Sequence, residues 1–94
     1  MKKYRIRKSI LKALAEYGGT PCSVEDVADY PAFALLKPSL EELKAEWDSL
    51  EAFKYIKACE GFGGKYCAIT EKGLQQVNPE FKHDPFIHGP HAAK

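Results

Sequence analysis

The sequence predicts an α+β, mainly α, fold: one small domain of three helices, a β-hairpin and a short closing helix. Three observations carry this reading. Apolar residues recur at helical spacing over residues 6–17 and 40–50. Ser23 with Asp26, and Ser39 with Glu42, form two capping-box patterns that mark helix starts. Between Tyr55 and Val77, two β-prone runs flank the glycine-rich turn Glu60-Gly61-Phe62-Gly63-Gly64. A chain of 94 residues, 45% of them hydrophobic, is one domain with a modest core.

The elements follow in order. Ile6, Ile10, Leu11, Leu14 and Tyr17 define the first helix, with Lys8, Lys12 and Glu16 turned away, and Gly18-Gly19 stops it. Ser23 caps a second helix over about 24–30, whose Val24, Val27 and Ala28 should face the core. It is short because Pro31 disfavours a helical Tyr30. Pro31 is suited to open one further helical turn, and Phe33, Leu35 and Leu36 are too apolar to be left in water. Ser39 starts the third helix, where Leu40, Leu43, Trp47 and Leu50 form one apolar stripe. Strands are expected at about 54–59 and 65–69, the glycines between them supplying the positive φ values of a hairpin loop. Thr70 caps a last helix carrying Leu74 and Val77, which Pro79 ends. Residues 1–78 thus form the domain. Residues 79–94, with three prolines, three histidines and no periodicity, read as an extended tail made sticky by Phe81, Phe86 and Ile87.

The net charge of +1 hides a segregation. Lys2, Lys3, Arg5, Arg7, Lys8 and Lys12 open the chain as a basic arm with no acid among them. Residues 23–51 are acidic, with only Lys37 and Lys44 opposed to Glu25, Asp26, Asp29, Glu41, Glu42, Glu46, Asp48 and Glu51. No apolar run approaches the ~20 residues of a membrane span, and the basic N-terminus runs into an amphipathic helix rather than a secretory core. Cys22, Cys59 and Cys67 lack the doublet spacing of a zinc site and read as reduced thiols of a cytoplasmic protein, with Cys59 and Cys67 as potential cross-strand neighbours. His83, His88 and His91 lie on a Pro/Gly-broken segment unsuited to a rigid metal site. The glycine loop runs from strand to strand, unlike a phosphate loop. With no nucleophile motif or paired carboxylates in a loop, neither catalysis nor a cofactor is expected.

The order helix, helix, helix, hairpin, short helix, together with Thr70-Glu71-Lys72-Gly73-Leu74 at the end of the second strand, resembles the winged helix-turn-helix family of small bacterial regulators. The resemblance implies duplex DNA binding, with the third helix in the major groove and the hairpin wing on phosphates. Carried onto this chain, the nucleic-acid-binding set is Lys2, Lys3, Arg5, Arg7 and Lys8 of the arm, Ser39 and Lys44 of the third helix, and Lys65 of the wing. The third helix departs from the pattern, because its outward positions are mostly acidic and repel phosphate. That departure supports a rival reading. Here Glu41, Glu42, Glu46 and Asp48 dock a basic protein surface or the arm of a second copy, with Phe62 and Phe86 as apolar anchors.

Overall fold

The computed structural model describes residues 2–31, 33–59 and 66–89. It is mainly helical with a two-stranded antiparallel sheet, which agrees with the α+β expectation. Helix α1, Lys2–Glu16, runs through the centre and buries Ile6, Ile10, Leu11, Ala13 and Leu14. The expected arm is therefore the first two turns of a helix. Lysine and arginine are good helix formers, and packing of Ile6 and Ile10 draws the preceding residues into the same helix. Gly18 and Gly19 end it at φ +64° and +88°, and Tyr17, just beyond the helix, is 42% exposed rather than part of the stripe.

The connector after α1 is pinned by backbone hydrogen bonds in both directions between Cys22 and Cys67, each 2.9 Å. Helix α2, Val24–Ala28, starts at the expected Ser23 capping box and buries Val24 and Val27, whereas Ala28 faces solvent. Helix α3, Phe33–Leu36, is the extra turn after Pro31. It buries Phe33 and packs Leu36 but leaves Leu35 92% exposed, against expectation, because a single turn has only one inward side. Helix α4, Leu40–Ala52, has the Ser39–Glu42 capping box and buries Leu43, Trp47 and Leu50. Leu40 stands 48% exposed. As the first helical residue, its side chain leans back past the cap instead of toward the core.

Strands β1, Ile56–Ala58, and β2, Cys67–Ile69, pair Ile56 with Ile69, Lys57 with Ala68 and Ala58 with Cys67. They are shorter than expected. Cys59 sits opposite Tyr66, not Cys67, and all three thiols are free. The expected wing tip, with Phe62 and Lys65, falls outside the described residues.

Helix α5, Glu71–Val77, explains the Thr-Glu-Lys-Gly phrase. The Thr70 hydroxyl accepts from the Gly73 N–H at 3.2 Å and reaches the Lys54 and Tyr55 carbonyls at 2.7 and 2.9 Å. This clamps the start of α5 onto the chain leaving α4. A Cβ on Gly73 would lie 2.3 Å from the Tyr55 carbonyl oxygen and 2.7 Å from Ile69 Cγ1, so only glycine permits the approach. Val77 packs on the core, while Leu74, expected beside it, is 43% exposed.

The expected extended tail is, through Gly89, a packed part of the domain. Helix α6, Pro85–His88, is one turn capped by Asp84 with Pro85 at its first position, and Ile87 is fully buried. Asp84 supplies the cap, proline supplies the helical φ, and burial of Phe86 and Ile87 supplies the driving force.

Candidate nucleic-acid interface

The charge segregation resolves within one molecule. Glu42 and Glu46, one turn apart on α4, face the N-terminal half of α1. Lys2 Nζ lies 3.3 Å from Glu42 Oε1, and the same oxygen accepts the Ser39 N–H at 2.9 Å. The Ser39 N–H foremost, then Lys2, holds the Glu42 carboxyl below its usual value. Lys2 opens a helix whose first turn has no acid, an unfavourable place for a cation. Glu42 answers that charge from outside the helix.

The second pair is mostly enclosed. Arg7 Nε donates to Glu46 Oε1 at 2.7 Å, with the two side chains 10% and 16% exposed. Arg7 Nη1 donates to the Phe86 carbonyl at 2.7 Å, and its guanidinium lies 4.1 Å from the Phe86 ring centroid. Phe86 in turn stacks on Tyr55 at 5.7 Å and tilts against Phe53 at 4.5 Å. The Tyr55 hydroxyl donates to Asp84, whose other oxygen accepts the Phe86 N–H at 2.9 Å. Burial and the Asp84 charge push the Tyr55 phenol well above its ordinary value. Burial also raises the Asp84 carboxyl. The Tyr55 and Phe86 hydrogen bonds, with Lys72 and His88 nearby, outweigh this and hold it below its usual range.

These contacts redistribute the residues singled out in the sequence. Arg7 is a buried strut between α1, α4 and α6, not a cation held out on an arm, because a guanidinium fork satisfies a carboxylate and a carbonyl at once. Glu46 is its partner and no docking residue on an open face. Phe86 belongs to the interior stack and is not a surface anchor. The Ser39 hydroxyl is engaged as the α4 cap, accepting the Glu42 N–H at 3.1 Å. Lys2 and Glu42 stand exposed but joined. Lys3 and Arg5 are exposed, and among the described residues neither has an acidic partner. Lys57 on β1 is exposed as well. On α4, Glu41, Lys44 and Asp48 face solvent. Lys44 and Asp48 border a groove of about 450 Å³ with Ser23, Glu25, Trp47 and Tyr66.

Residues 84–88 are the part that sequence reasoning missed, although Asp84-Pro85 is a cap followed by a helix-opening proline and so carried a local signal. The Arg7–Glu46 pairing had no such signal, since the residues lie 39 apart. No helix among the described residues is long and apolar enough to cross a membrane, and no cluster there has the makings of a metal site. Searches with this chain against family models, curated proteins and solved structures return no match.

Proposed function

We propose that this chain is a nucleic-acid-binding module of winged helix-turn-helix type that holds duplex DNA by its phosphate backbone. The observation that carries the reading is the internal pairing of Glu42 with Lys2 and of Glu46 with Arg7. The acidity of α4 by itself opposes phosphate. Two of its five acids are paired with α1, which leaves exposed Glu41 and Asp48 and half-buried Glu51 against Lys44, while Lys3 and Arg5 of α1 stand exposed with no acidic partner among the described residues. The hairpin contributes Lys57 and, in the expected wing, Lys65. The order α1, α2, α4, hairpin, α5 supports the family likeness, as does the α5 clamp built on Thr70 and Gly73. Such a surface grips phosphates and reads little sequence, because α4 presents no Arg, Asn or Gln for paired contacts to bases.

Fluorescence anisotropy with a labelled duplex at low salt tests the reading. The wild type should bind with a log–log salt slope of roughly −3, the value for three to four phosphates. Lys3→Glu and Arg5→Glu should each weaken binding on every sequence tried and flatten the slope by about one. Glu41→Lys should strengthen it. Absence of binding by the wild type at low salt removes the proposal. The rival reading, a protein-docking module, rests on the exposed Leu35 and Leu40 beside Glu41. It predicts that Leu35→Ser abolishes association with a protein partner while DNA affinity stays nil.

A further inference from the structure

A pocket of about 190 Å³ lies where α1, α5 and the C-terminal segment meet, and DNA binding as proposed makes no use of it. Lys8 and Lys12 stand on its rim from successive turns of α1, and His83 and His88 close it from the C-terminal segment. Its floor is apolar, built from Leu11, Val77 and Ile87, and no carboxylate among the described residues lines it. The two imidazoles stack with centroids 3.9 Å apart and planes 13° from parallel. His88 Nε2 is enclosed, yet it has no hydrogen-bond partner among the described residues. A polar atom without water or a partner is costly unless something else satisfies it.

The charges around the ring are mostly of one sign. Burial first, then His83 and Lys8, disfavour the protonated form of His88, while the Gln76 backbone and Asp84 favour it. Asp84 offsets part of this charge from behind the ring, but its oxygens are taken by the Tyr55 hydroxyl and the Phe86 N–H, and it does not line the pocket. Lys8, Lys12 and the two imidazoles thus border an apolar floor that no acid among the described residues lines.

We propose that this pocket binds a small organic carboxylate, its oxygens held by Lys8 and Lys12 on the rim, its carbon skeleton set against Leu11, Val77 and Ile87, and the stacked histidines forming a wall beside it. The volume is below the roughly 300–1,000 Å³ of sites for drug-sized ligands, which favours a short acid over a nucleotide. The apolar floor favours an acid with a hydrocarbon part over inorganic phosphate. A bound anion offsets part of what disfavours a protonated His88, so affinity rises as pH falls toward the lowered value of that ring. The charged and titratable groups facing that equilibrium are Lys8 and Lys12 of α1, and His83 and Asp84 of the C-terminal segment, with the Gln76 backbone on α5.

The test uses the whole chain without DNA. NMR follows the imidazole signals of His83 and His88 and the methyls of Leu11, Val77 and Ile87 while isobutyrate is added, at about pH 6 and about pH 8. Saturable shifts confined to these groups are expected, with affinity at least about fivefold higher at the lower pH. The Lys8→Gln/Lys12→Gln variant, altered only at exposed positions, should lose binding while keeping its fold. The uncharged isobutyramide should not bind, and phosphate should bind more weakly than isobutyrate. Any of four results overturns the proposal: no saturation, equal affinity at the two pH values, undiminished affinity in the variant, or phosphate binding as tightly as isobutyrate. Lys8 and Lys12 are untouched by the DNA-binding variants, so either proposal can fail alone.

Discussion

Replacing Gly73 with alanine sets two effects of opposite sign against each other. Gly73 is inside α5, and in an exposed helix the substitution stabilises by about 0.5–1 kcal/mol, since glycine loses more backbone freedom on folding. Here the added Cβ would stand 2.3 Å from the Tyr55 carbonyl oxygen. That oxygen cannot yield cheaply, because it accepts the Thr70 N–H at 3.1 Å and lies 2.9 Å from the Thr70 hydroxyl. The second contact, Ile69 Cγ1 at 2.7 Å, belongs to a β2 side chain in the core. Relief requires α5 to move outward, which stretches the Thr70 cap. Overpacking of this kind costs about 1–3 kcal/mol, and loss of a helix cap about 1 kcal/mol more. The net expectation is a destabilisation of about 1–3 kcal/mol, or a Tm lower by about 5–15 °C for a domain of this size. Thermal and urea unfolding followed by circular dichroism measure it. A Tm equal to or above the wild type would show that α5 does not approach Tyr55 as described.

Three further outcomes follow from the packing. Glu46→Gln should destabilise by about 3 kcal/mol in urea unfolding, because it strands the mostly buried Arg7 charge, and Arg7→Met combined with Glu46→Leu should recover most of that loss. Cys59 should react with a thiol reagent in the native protein while Cys22 and Cys67 do not; burial pushes both of their thiols up, that of Cys67 to about 11. Mass spectrometry of the alkylated chain reads this directly, and modification of Cys67 at the rate of Cys59 would contradict it. The Tyr55–Asp84 contact should shape the pH dependence of stability at both ends. Its carboxylate is held down, so that contribution is complete above the ordinary Asp value of about 3.9 and fades as pH falls through the lower folded value. The phenol is held up, so its contribution is complete below the ordinary Tyr value of about 10 and fades as pH rises toward the folded value. Asp84→Asn should flatten the acid limb in pH-dependent urea melts.

Local chemistry was legible where the chain's own neighbours decide the outcome. Ser23–Asp26 and Ser39–Glu42 are capping boxes three residues apart, and each forms as the spacing requires. Gly18-Gly19 ends α1 with the positive φ values that side chains resist, and Thr70 opens α5 as its position before the helix indicates. Burial at helix edges was less legible: Leu40 and Leu74 keep the helical rhythm yet face solvent, since periodicity assigns a side but does not locate the neighbouring element.

Composition and spacing by themselves determined a small, mainly helical domain with a hairpin, the helix starts, and a basic N-terminal stretch facing an acidic middle. Only the tertiary structure decided what those charges do. Arg7 and Glu46 meet because Ile6, Ile10, Leu43, Trp47 and Leu50 bring α1 and α4 together, and hydrophobic packing is indifferent to the distance along the chain that separates its members. The same packing turned residues 84–88 from an apparent tail into a wall of the domain. An apolar pair such as Phe86 and Ile87 has no preferred place until a complementary surface exists to receive it.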